Sequence, residues 1–197
     1  MRKVVIMSCC ALGVAALTLA LTTRPVSAWA LCDFLTGGGW IITTASGTHA
    51  PAKANFAIGG GCKDGSPTWG HLEYQDHGTG LNVHWTSITG YFEWETIGDE
   101  QDPKRMGSRL ICGTARTNQF GDVDWAVLAR DYGEPGTNDE FYIKLSKSGG
   151  TLYTTAYDSD HTLGGPDPGG GNIQLHKPNP STTGDFGGSC PALDAVP

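Results

Sequence analysis

Beyond residue 28 the chain has no apolar run near the roughly 20 residues that a membrane-spanning helix needs, so nothing in that stretch is expected to enter a bilayer as a helix. Catalytic signatures are missing too. There is no G-x-S-x-G elbow, no H-E-x-x-H pair, no phosphate-binding loop and no C-x-x-C, and the histidines at 49, 71, 77, 84, 161 and 176 stand singly. No segment repeats apolar residues at helical spacing over ten positions, which argues against an α or α/β fold. Basic residues are scarce as well, with 13 Lys and Arg against 20 Asp and Glu, so nucleic acid and anionic membranes are poor partners.

What is present begins with an export leader. Arg2 and Lys3 form a basic head, Val4–Leu21 carries no charge, and Val26-Ser27-Ala28 is a small-residue exit, so residues 1–28 read as a signal peptide and the mature chain as secreted. Removing 1–28 takes away three basic and no acidic residues; ten basic against twenty acidic leaves a formal charge of −10. Cys32, Cys62, Cys112 and Cys190 then remain, an even number in an oxidising compartment, and imply two disulfides. The expected pairing is Cys32–Cys190, tying the two ends together, with Cys62–Cys112. Their wide spacing does not suit zinc.

Glycine, 29 residues, punctuates short stretches rich in Val, Ile, Thr and aromatics, the pattern of strands and turns. The expected strands are 40–44, 52–58, 70–76, 81–95 with a break near Gly90, 109–117, 123–131, 140–146, 151–157 and 172–176. Val123, Trp125, Val127 and Ala129 alternate with polar neighbours, as do Phe141, Ile143 and Leu145, so one face of each strand is wet. Short glycine-bearing links make neighbouring strands antiparallel hairpins. The expected architecture is an all-β, single-domain antiparallel β-sandwich or jelly roll over 29–176, followed by an extended strap, 177–197, pinned through Cys190.

Several phrases recur in a fixed order: Thr36-Gly-Gly-Gly-Trp40-Ile41, Lys53-Ala-Asn-Phe56, Leu72-Glu-Tyr74, Leu81-Asn-Val-His84, Ile111-Cys-Gly-Thr-Ala115, Asp131-Tyr-Gly-Glu-Pro-Gly136, Asp139-Glu-Phe-Tyr-Ile143 and Gly169-Gly-Gly-Asn-Ile-Gln-Leu-His176. Spanning residues 36–176, they resemble post-COAP-1, a bacterial extracellular domain family. The resemblance implies a β-rich exported domain and assigns no catalytic residue. The chain departs from the family's A-N-F-G-F by reading Asn55-Phe56-Ala57-Ile58, and its cysteines lie outside the family pattern.

Three features carry candidate chemistry. Asp131, Glu134, Asn138 and Asp139 place hard oxygen donors in one turn-forming segment, which suits calcium, while a plain hairpin bonding its own backbone explains the same residues; Asp158 and Asp160 could join them only through the fold. Among the tryptophans, Trp85 and Trp125 lie in apolar alternation and belong to the core, whereas Trp69 and Trp94, beside polar or turn residues, are candidates to stack on a ligand. Glu73 with Asp76, or Glu93 with Glu95, are the pairs a glycosidase would need. These features point to a non-catalytic extracellular binding module, with an unidentified glycan or protein as ligand. A carbohydrate-active hydrolase and a structural envelope component are the rivals.

Overall fold

The computed structural model describes residues 32–99, 102, 104–156, 161–167 and 169–192. The expected leader, residues 1–28, and Asp158 and Asp160 lie outside them. Ten strands are described: β1 (Phe34–Thr43), β2 (Ala52–Gly61), β3 (Trp69–Asp76), β4 (Leu81–Ile97), β5 (Met106–Thr117), β6 (Gly121–Asp131), β7 (Glu140–Lys147), β8 (Gly150–Thr154), β9 (Gly171–His176) and β10 (Gly187–Gly188). The one helical piece is a 3₁₀ turn, Lys63–Gly65.

The all-β, antiparallel, disulfide-bonded character matches the expectation. The layering differs. All ten strands belong to one sheet in the order β8-β7-β6-β5-β4-β3-β2-β1-β9, with β10 added to β4. Eight successive strands pair as a meander, because their short links leave each strand nowhere to go but alongside its predecessor. Such a sheet can bury one face only by curling. Phe56 of β2 stacks on Phe141 of β7 at 3.9 Å, and the Tyr74 and Tyr153 hydroxyls of β3 and β8 meet at 2.6 Å, so strands far apart in pairing order touch across the interior. One core therefore runs through the roll, with Leu35, Ile58, Leu72, Ile111, Trp125, Ile143 and Leu175 among its buried side chains.

Curvature has local causes. Against β5, the long β4 carries three bulges, at Thr86, Thr89 and Trp94; the middle one is the break expected near Gly90. At the other end of the sheet, β1 begins six residues earlier than its sequence suggests. Its Gly37-Gly38-Gly39 run lets β9 lie close: a Cβ on Gly39 would fall 2.1 Å from the Gly170 carbonyl oxygen.

The disulfides are Cys32–Cys62 and Cys112–Cys190, with Cα separations of 5.7 and 5.2 Å, which corrects the expected pairing of Cys32 with Cys190 and Cys62 with Cys112. Register explains it. Phe34 pairs with Gly61, so the residues just beyond that pair, Cys32 and Cys62, come together at one end of the β1–β2 hairpin. Cys112 alternates with the inward Ile111 and points outward, where the C-terminal strap crosses it. The strap is present and pinned through Cys190 as expected, but to the middle of the sheet. It fills the opening where β3 and β4 part: β10 pairs with Gly90 and Tyr91, and Phe186 stacks on Tyr91.

A charged plug, which the sequence does not announce, closes the interior near the start of β1. Asp33, Arg105, Arg109 and Tyr91 are all buried. Asp33 accepts from Tyr91 (2.6 Å), from Arg109 Nε (3.1 Å) and Nη2 (2.6 Å), and from Arg105. Arg109 Nη1 donates to the carbonyls of Glu95 and Ser108, and Nη2 also to Thr96, so all five guanidinium hydrogens have acceptors. Burial, then the Asp33 charge, pushes the Tyr91 hydroxyl well above its usual range.

Candidate functional site: an outer polar groove

Alternation sends every second residue of β2, β3 and β4 away from the core. Ala54, Phe56 and Ile58, Leu72 and Tyr74, and Leu81 and Val83 point in; Asn55 and Ala57, Glu73 and Gln75, and Asn82 and His84 point out. Register then aligns the outward residues in rows across the strands. One row runs Ala57, Glu73, His84, Arg116 and Asp122; the next runs Asn55, Gln75 and Asn82. Neighbouring members of a row are one strand spacing apart, roughly 4.8 Å.

From Ala57 to Arg116 and from Asn55 to Asn82, these rows line a groove of about 640 Å³, which Asn118 and Thr86 also border. Glu73 and His84 meet at 2.5 Å, both well exposed. Asn118 is fixed, accepting from the Asn82 backbone at 2.8 Å and donating to the Gly80 carbonyl at 2.9 Å. Asn55 and Gln75 are exposed and make no side-chain hydrogen bond within the described residues, so each presents a free amide donor and acceptor to the groove. Glu73 is the one carboxylate in the lining.

In the acidic segment the two aspartates accept from backbone N–H groups. Asp131 accepts from Gly133 N–H (2.8 Å) and Leu175 N–H (2.7 Å), one on each oxygen. Asp139 accepts in the same way from Tyr132 N–H (2.9 Å) and Ile173 N–H (2.7 Å). Glu134 takes the Asn172 amide at 3.1 Å, and Asn138 is exposed on the turn. Ile173 and Leu175 belong to β9, the end strand of the sheet, and their N–H groups face away from β1. The two carboxylates thus do for that edge what a neighbouring strand would do. Burial is the main reason both acids titrate high; Asp139 is pushed up to about 6, with the Asp131 and Glu134 charges adding to burial and its two backbone bonds opposing it. Among the described residues no group of three or more His, Cys, Asp or Glu is placed to hold a metal ion.

The remaining candidates are dispersed. Trp69 is partly buried, packed edge-on against Phe34 with the Lys63 ammonium 3.8 Å from its ring centre. His176 stacks on the same Phe34 at 4.3 Å, and burial lowers its affinity for a proton. Trp94 is 47% exposed, on the far part of β4. Trp85 packs partly buried against the core and Trp125 is fully buried, as expected. Glu73 and Asp76 are not brought together: Asp76 is buried, bonded to His49 (3.0 Å) and Tyr153 (2.9 Å), while Glu73 faces out. Glu93 and Glu95 flank a bulge and lie outside the groove. Sequence reasoning passed over Asn55, Gln75 and His84. The signal that could have found them is polar alternation in three consecutive strands, which becomes a site only once register is known.

Compared with known proteins, the chain matches no family model, no curated protein and no solved structure.

Proposed function

We propose that this protein is an exported binding module whose groove across β2–β5 takes a hydroxyl-rich ligand, a saccharide being the class that fits best. The observation that carries the reading is the pair of free amides, Asn55 and Gln75, in register beside Glu73 and His84 in a groove of about 640 Å³. An amide offers a donor and an acceptor side by side, and a carboxylate two acceptors, which matches neighbouring sugar hydroxyls. The two disulfides suit an oxidising compartment, in keeping with the leader. A glycosidase needs two carboxylates about 5–9.5 Å apart, and the groove lining supplies Glu73 alone, so binding is favoured over hydrolysis.

A glycan array followed by calorimetry on the mature protein tests the reading. The expected result is binding to a defined glycan, weakened at least tenfold by Asn55→Ala with Gln75→Ala, with the glycan recovered intact. Turnover abolished by Glu73→Gln, or binding indifferent to both amide substitutions, would overturn it.

A further inference from the structure

A second surface lies on β4, outside the groove. Against β5, Glu93 pairs with Arg109 and Glu95 with Ser108, so Trp94 is the extra residue of a bulge. A bulged residue is left unpaired and its side chain is re-aimed. Trp94 is the most exposed large apolar side chain of the described residues, at 47%, and Ile97, three residues on along the same strand, is 36% exposed. The edge of β4 turned away from β5 accepts an added antiparallel strand within this same molecule, since Gly188 and Gly187 of the strap pair with Gly90 and Tyr91. At Phe186 the strap leaves that edge to fill the interior, and Gly184 N–H bonds to the Cys62 carbonyl. Past Tyr91 no strand of the described residues pairs with the edge. Trp94 there is flanked by Glu93 and Glu95 on a chain of formal charge −7.

We infer that β4 from Phe92 to Ile97 is a docking edge for an extended, lysine- or arginine-bearing segment of a partner protein. The segment adds an antiparallel strand in line with β10, its backbone pairing with the open edge. One basic side chain lies over the Trp94 ring, and its neighbours meet Glu93 and Glu95. Acidic residues and a bulge by themselves serve to keep a free edge from unwanted pairing. They give no reason to expose a tryptophan at the bulge itself, whereas a cationic strand uses all three features together.

The test titrates the mature protein with a ten-residue peptide of alternating lysine and threonine, with the glutamate–threonine peptide as control, at fixed ionic strength. Amide shifts and hydrogen exchange are followed residue by residue. The expected result is shifts and new protection confined to 92–97 with the lysine peptide only, and affinity reduced at least fivefold in Trp94→Ala, whose exposed side chain can be lost without unfolding the domain. Shifts spread over the acidic surface without new protection would overturn the proposal, as would equal binding by Trp94→Ala. Protection at 92–97 that rises with protein concentration in the absence of peptide would assign the edge to a second copy and overturn it too. Because none of these residues lines the groove, the glycan experiment can fail or succeed without affecting this one.

Discussion

Asp33 and Arg109 show how much a few buried residues carry. Two guanidinium groups share one carboxylate, and every hydrogen of Arg109 has an acceptor, so removing one partner strands the charges of the others in a dry site. Arg109→Met should therefore cost about 3–5 kcal/mol in denaturant unfolding, well beyond the effect of removing the exposed Arg116, whose partner Asp122 is 3.6 Å away in water. Asp139 gives a pH prediction with a definite sign. Its carboxyl titrates near 6 in the folded protein against an ordinary value of 3.8, so the folded state holds this proton more tightly than the unfolded one. The stability it contributes is complete below about pH 4 and is lost as pH rises through about 6. Carboxyl-carbon NMR should place the Asp139 midpoint near 6, and the fall in unfolding free energy between pH 4 and 6 should flatten in Asp139→Asn. A midpoint at or below 4 would contradict this account of the site.

At the scale of elements, the β1–β9 contact depends on side chains that are not there. A Cβ on Gly39 would meet backbone at 2.1 Å, while one on the neighbouring Gly38 would find its nearest atom at 3.5 Å, an ordinary contact. Gly39→Ala should then destabilise by roughly 2 kcal/mol or more, and Gly38→Ala by less than about 1 kcal/mol, as measured by thermal or denaturant unfolding. Equal effects would mean that the seam is not packed as described. The seam has a second tie in the segment after β8: Gly164 N–H bonds to the Trp40 carbonyl (2.8 Å), Trp40 N–H to Gly170 (2.7 Å), and Leu163 N–H to Asp139 (2.9 Å). The strand expected from the sequence starts at Trp40 and leaves out Gly37, Gly38 and Gly39, which β1 includes. Glycine marks close backbone approach as readily as a bend, and which of the two applies depends on a strand 130 residues away.

For the whole molecule, the disulfides determine how the termini are held. Cys32–Cys62 spans 30 residues and Cys112–Cys190 spans 78, so in the chain-entropy account the longer loop contributes about 1 kcal/mol more. Non-reducing peptide mapping should link these pairs. Cys112→Ser with Cys190→Ser should destabilise more than the corresponding change at Cys32 and Cys62, and should raise hydrogen exchange at Gly90 and Tyr91 as the strap loosens. Cleaved peptides joining Cys32 to Cys190 would overturn the register described for β1 and β2.

The sequence by itself determined the all-β class, eight of the strand positions, the antiparallel hairpins, the strap, the buried Trp125 and the exposed Trp94, because each rests on alternation and turn chemistry within a few residues. Curling of a single sheet, the disulfide partners, the rows of outward side chains that make the groove, and the use of Asp131 and Asp139 to cap β9 were decided only by tertiary structure. All four depend on which strands meet and in what register. Local spacing says which face a residue occupies, but it does not say what lies opposite.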